Sequence, residues 1–222
     1  MNMAERDQDK TRVPRQRRSV ETKQKIVAAA LKLFSEKGFH ATNTKAIAKE
    51  AQVAVGSVYS YYTDKMEIFK DALALFHEHF SEILRSHGAL RLNASQNKRE
   101  LIRDVIETVI KAHEVDPGFH REMNIMALSY PEVKDMAEKE LRFFFKMTAR
   151  LLRSWQPEIR IRDPEAAATV IILAANSIVE AVAFGGTGIG RERLVEATVD
   201  MLHHYLWPQE ASQAIDVSPE TE

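Results

Sequence analysis

Apolar residues recur at intervals of three and four along most of this chain, the period of an amphipathic helix. Ile26, Ala29, Ala30, Leu33 and Phe34 make one such face, and Gly38 after Lys37 is a usual helix stop. Thr42, Asn43 and Thr44 offer N-cap chemistry to a short helix marked by Ile47, Ala48 and Ala51. Gln52 to Ala54 break the pattern, and a second short helix is predicted from Val55 to about Tyr61. Thr63 and Asp64 can cap a longer helix that carries Ile68, Phe69, Ala72, Leu73, Phe76 and Phe80.

The same period continues from about Asn97 to Val115 and stops at Asp116-Pro117-Gly118. A shorter helix carries Phe119, Met123, Met126 and Leu128, and a long one runs from about Glu132 to Trp155. Asp163-Pro164-Glu165 joins a capping carboxylate, a proline suited to the first helical position and an acid at the positive dipole end. That helix reaches Phe184, a glycine loop spans 185–190, and a last helix spans about Arg191 to Trp207. No alternating segment long enough for a strand interrupts the series, so the fold class is all-α. Residues 1–18 lack an apolar period and read as a flexible basic arm with Arg12, Arg15, Arg17 and Arg18. Residues 208–222 read as a disordered acidic tail.

Charge changes the picture. The net charge of −1 conceals a basic first third: residues 1–70 hold 14 Lys/Arg against 8 Asp/Glu. The remaining residues hold 17 against 24. A basic module joined to an acidic body suits a polyanion such as nucleic acid, with a merely solvated basic face as the alternative. The absence of cysteine removes disulfides, thiolate metal sites and cysteine nucleophiles. With a polar N-terminus, it leads to the expectation of a cytoplasmic protein.

Two short helices about three residues apart, braced by a preceding helix, fit a helix-turn-helix. Ala48 and Ala51 are small where the second short helix must cross, Val58 can point inward, and Val55, Gly56 and Ser57 are small enough to let backbone enter a major groove. The residues from Lys25 to Phe34 with Gly38, then Thr42 to Thr44 with Ile47-Ala48, and Gly56-Ser57-Val58-Tyr59-Ser60-Tyr61-Tyr62 with Asp64-Lys65, resemble the tetracycline-repressor (TetR/AcrR) family of bacterial regulators. The likeness is dense over about residues 20–70 and rests beyond them on length and helical content. Gln52 departs from it, standing where the family commonly has a glycine that often takes positive φ. Tyr62 stands where phenylalanine is commoner, so its hydroxyl needs a partner.

The resemblance implies a helix-turn-helix DNA-binding domain over 19–66 and a larger helical effector-binding and dimerisation domain over 67–207. It implies a homodimeric repressor on a palindromic operator, released by a small apolar or amphipathic effector. A protein of the same fold controlled by a protein partner is the alternative. Carried over by position, Thr44 and Lys45 lie near phosphate. Val55, Gly56 and Ser57 lie nearest base edges. Tyr59 and Tyr61 donate hydroxyls to phosphates, and Lys65 joins a helix N-terminus on a phosphate. Arg17 and Arg18 reach a flanking minor groove from the arm. Val58 and Tyr62 read as core.

The dimer is expected through the last two long helices, about 164–184 and 191–207. The first is apolar nearly all round and near membrane-spanning length, but Asn176, Glu180 and its charged flanks argue against a span. Leu194, Thr198, Met201, Leu202 and Tyr205 would join it in a four-helix interface. For the effector, Phe119, Met123, Met126, Phe143, Phe144, Met147 and Trp155 are the soft and aromatic inventory, with Asn176 and Glu180 as polar groups that could orient it. His113 reads as a core histidine. The helix from Asp64 to about Leu84 is the expected lever between effector and DNA.

Enzymatic and metal chemistry finds no support. His77 and His79, and His203 and His204, are spaced so that neither pair shares a helix face. The glycines of 185–190 follow a helix and not a strand, so they make no dinucleotide loop. No catalytic residue, metal site or cofactor is expected, and no membrane partner.

Overall fold

The structure is a computed structural model that describes residues 12–91, 97–185 and 187–207. Among them run nine helices and no strand: α1 (Arg12–Lys37), α2 (Thr44–Glu50), α3 (Val55–Tyr59), α4 (Lys65–Arg91), α5 (Lys98–Glu114), α6 (Pro117–Ser129), α7 (Pro131–Ser154), α8 (Pro164–Phe184) and α9 (Arg191–Leu206). The expected arm from 1 to 11 and the tail from 208 lie outside the described residues. Arg12 to Arg18, expected in a flexible arm, belong to α1, which starts well before Ser19. Pro14 falls in its first turn, where a missing N–H costs nothing.

Local chemistry sets the helix ends. Asn43 caps α2 by accepting the Ala46 N–H at 2.9 Å. Its neighbour Thr42 is buried instead, and its hydroxyl donates to the Gly38 carbonyl at 2.8 Å. Asp64 accepts the Glu67 N–H and Glu67 accepts the Thr63 N–H, a capping box that starts α4. Asp116 caps α6 by accepting the Phe119 N–H at 3.0 Å, and Asp163 caps α8 by accepting from Glu165 and Ala166.

The chain forms two compact units. The first takes the chain to Arg85 together with Lys111–Glu140. Its core gathers Ile26, Phe34, Ile47, Val58, Phe69, Phe119 and Met126. Phe69 stacks on Phe119 and meets Phe34, each at 5.3 Å between centroids. In this unit α4 and α6 share one apolar core with α1–α3. Gly118 permits the closest approach of α6 to α1: a Cβ there would stand 2.5 Å from the Ser35 carbonyl oxygen.

The second unit takes Ser86–Ile110 and the chain from Leu141. Ile106, Ile110, Leu152, Ala168, Val199 and Leu202 form its core, closed at one end by Trp155 against Trp207 at 5.5 Å. Arg99 and Arg103 of α5 pair with Glu192, Glu196 and Asp200 of α9. Within this unit α8 is long and apolar enough to cross a membrane by length and composition. Its positions Ala166, Val170, Leu173 and Ser177 are all exposed, a stripe at helical spacing.

Candidate nucleic-acid interface

The α2–α3 pair is held by burial of small and branched residues. Ile47, Ala48, Ala51 and Val58 are all buried in the first core, as the crossing of two short helices requires. The turn between them is a Schellman motif: the Gln52 N–H bonds the Lys49 carbonyl and the Val53 N–H bonds the Ala48 carbonyl. Gln52 takes φ 56°, so the positive φ that glycine would favour is kept without glycine. α3 itself is five residues long, shorter than the predicted segment to Tyr61.

The outward side of α3 has the expected small residues. Val55 and Gly56 are exposed, with open space where a Gly56 side chain would be, and Ser57 is half-buried. Around them stand two hydroxyl pairs. The Thr44 hydroxyl at the start of α2 lies 2.9 Å from the Tyr59 hydroxyl, and the Ser19 hydroxyl on α1 lies 3.1 Å from that of Tyr61. Lys45 is exposed on the same helix as Thr44. Arg17 and Arg18 are exposed on α1, Arg17 paired with Glu21 one turn on. Ser19, Lys25 and Lys49 are further exposed polar groups of this module that the periodicity does not single out. Ser19 meets Tyr61 across 42 residues, a pairing no local pattern encodes.

Tyr62 fits its reading as core, whereas Lys65 departs from its reading as a phosphate contact. Tyr62 is buried, and its hydroxyl donates to Asp71 at 2.8 Å, which also receives Lys23 at 2.8 Å. Burial and the Asp71 carboxylate push its phenol well above the ordinary range. Lys65 does not present its ammonium outward to a phosphate. It donates to the Phe39 carbonyl at 2.5 Å and the Thr42 carbonyl at 2.7 Å, over the Phe39 ring at 4.2 Å. Burial lowers its pKa, while the nearby Glu122 works the other way. The capping box also places the Asp64 and Glu67 carboxylates at the N-terminus of α4, where an approaching phosphate would be repelled.

The residues expected around an effector are divided between the two units. Phe119, Met123 and Met126 are buried in the first unit against α4, while Phe143, Phe144, Met147, Asn176 and Glu180 belong to the second. Phe143 and Met147 are exposed, and Phe144 lies edge-on to Phe143. Asn176 donates to Glu180 at 3.2 Å along α8. Of the residues expected to face a second protomer, Thr198 and Leu202 are buried in their own core, and Met201 is exposed. The outward stripe of α9 is instead Arg193, Ala197, Met201 and His204. His113 is buried, as a core histidine.

Comparison with known proteins agrees with this geometry. Residues 26–72 match the family described as bacterial regulatory proteins, tetR family, and residues 99–206 match the tetracyclin repressor-like C-terminal domain. YttP of Bacillus subtilis, named as an HTH-type transcriptional regulator, is 25% identical over 131 residues, 58% of this chain and 63% of its own. The chain thus spans less than two thirds of the curated relatives it first matches. A solved regulator from Mesorhizobium loti, assigned to the TetR family, superposes with a TM-score of 0.69 at 21% identity, covering 86% of this chain and 99% of its own. The fatty acid degradation regulator FadR of Bacillus halodurans gives a TM-score of 0.62 at 20% identity over 81% and 93%. With both of its parts matched in chain order, this chain belongs to the tetR family of bacterial regulatory proteins, helix-turn-helix transcriptional regulators and not enzymes.

Proposed function

We propose that this protein is a homodimeric repressor that binds a palindromic operator in the cytoplasm and releases it when a small apolar or amphipathic effector binds. The observation that carries the reading is the outward side of α3: small residues at Val55, Gly56 and Ser57, set among the hydroxyls of Thr44, Tyr59 and Tyr61. Small side chains let the backbone approach base edges, where Val55 contacts thymine methyls and Ser57 hydrogen-bonds. Thr44, Lys45, Tyr59 and Tyr61 contact the sugar–phosphate backbone and fix register, and Arg17 and Arg18 reach a flanking minor groove. Lys65 holds the α1–α2 turn and takes no phosphate.

Dimerisation joins the exposed stripes of α8 and α9 to those of a second copy. Ala166, Val170 and Leu173 with Ala197 and Met201 offer small and apolar side chains that let helices approach closely across a two-fold axis. Such a dimer sets two α3 helices on half-sites about one DNA turn apart. The effector is held by the α5–α9 domain, the part of the chain that matches the tetracyclin repressor-like C-terminal domain. It favours a form in which that spacing is lost, with α4 as lever. The name of the FadR relative accords with an acyl or similarly apolar effector.

Selection of genomic fragments on the purified protein, with sedimentation of the free protein, tests this. A shared short palindrome and a dimer mass are expected. Retention without a common motif, or a monomer at micromolar concentration, overturns the operator reading.

A further inference from the structure

We propose that Ser19 is a positioning residue for DNA contact: paired with the Tyr61 hydroxyl, it aims that phenol at a phosphate. This rests on the DNA-binding reading above and extends it to a residue of α1. A serine within a helix either turns its hydroxyl back to a carbonyl one turn earlier or points it to solvent. Thr22, three residues on, turns back in this way, donating to Arg18 O at 2.8 Å. Ser19 does not follow it. Its hydroxyl lies 3.1 Å from that of Tyr61, in an exposed pair that ties α1 to the second residue after α3.

Each hydroxyl carries one proton and two acceptor sites. When two hydroxyls pair, one O–H is spent between them and one remains for a third partner. Thr44 and Tyr59 form the same kind of pair at 2.9 Å. The module therefore presents two tethered hydroxyl pairs, each with one donor left for an anionic oxygen. Tethering also fixes the phenol before DNA arrives, so less side-chain freedom is lost on binding. Ser19 can hold this post because α1 is already helical there, where a loose arm could not.

The test uses the full chain and a random-sequence duplex of about 30 base pairs at low salt, because backbone contacts are independent of sequence. Affinity is measured for the wild type, Ser19→Ala, Ser19→Thr, Tyr61→Phe and the Ser19→Ala/Tyr61→Phe double variant. Ser19→Ala is expected to weaken binding about three- to tenfold. Ser19→Thr should restore it, and Ser19→Ala should cost nothing more in the Tyr61→Phe background. The salt slope should stay unchanged, since no charge is removed, and so should the melting temperature. Wild-type affinity in Ser19→Ala, or an equal further loss in the Tyr61→Phe background, overturns the proposal. A wild type that retains no duplex overturns the DNA-binding reading itself.

Discussion

The carboxylate of Glu122 on α6 accepts the backbone N–H of Phe39 in the α1–α2 turn at 2.6 Å. Lys65 donates to the Phe39 and Thr42 carbonyls, so the N–H and the C=O of Phe39 are held by side chains from α6 and α4. Glu122 is half-buried, and its removal strands a backbone donor where water enters poorly. Glu122→Ala is expected to lower stability by about 1–3 kcal/mol. Glu122→Gln keeps an acceptor and should lose less. Urea unfolding of the two variants checks this, and equal losses would mean that packing, not the hydrogen bond, is what Glu122 supplies.

Lys65 follows from the same turn. Its ammonium serves two carbonyls and one ring, so Lys65→Met should destabilise the first unit by about 1–3 kcal/mol. Its salt slope for DNA binding should match the wild type. Lys45, exposed on α2, has no such internal use, and Lys45→Ala should reduce the slope by about one. Binding titrations at several salt concentrations separate the two lysines. A reduced slope in Lys65→Met would return that residue to the phosphate contacts.

The contrast shows what periodicity and local chemistry can carry. The helices were legible because each apolar face and each cap, such as Asp116 and Asp163, acts within a few residues. Tyr62 was legible as core with a hydroxyl in need of a partner, though not that Asp71 meets it. The direction of Lys65 was not, because it depends on carbonyls 26 and 23 residues away. Phe119 and Met126 look the same in sequence whether they line a pocket or fill a core, since both require helical spacing. Thr198 and Leu202 share α9 with the outward stripe, and only packing tells which side of that helix is already covered.

Gln52 sits exposed at a left-handed φ of 56°, which costs a residue with a Cβ about 1–2 kcal/mol. Glycine avoids that strain but loses more entropy on folding. Gln52→Gly is therefore expected to raise stability by roughly 0.5–1 kcal/mol, and Gln52→Ala, which keeps the Cβ, to change it little. Thermal unfolding of both variants checks this. A glycine variant no more stable than the alanine one would mean that the Gln52 side chain itself compensates the strain.

His120 brings the last prediction, one of acid sensitivity. It is buried in the first unit, its ring edge-on to His113 at 4.9 Å and 6.1 Å from Phe76. Burial, then the neighbouring His113 and His77, pull its pKa down to about 4. Burial also lowers His77, against the nearby Glu140. An unfolded histidine titrates near pH 6.5, so between about pH 6.5 and 4 the unfolded chain binds a proton that the folded chain refuses. The stability linked to His120 is thus complete above about pH 6.5 and drains away as pH falls toward 4, by roughly 3 kcal/mol at the end. His120→Gln cannot titrate, so its unfolding free energy should fall less steeply over that window, whatever its level at neutral pH. Urea unfolding at steps between about pH 7.5 and 4 reads the slope. Parallel curves for the two proteins would assign the acid loss to His77 or to carboxylates, and would remove His120 from the account.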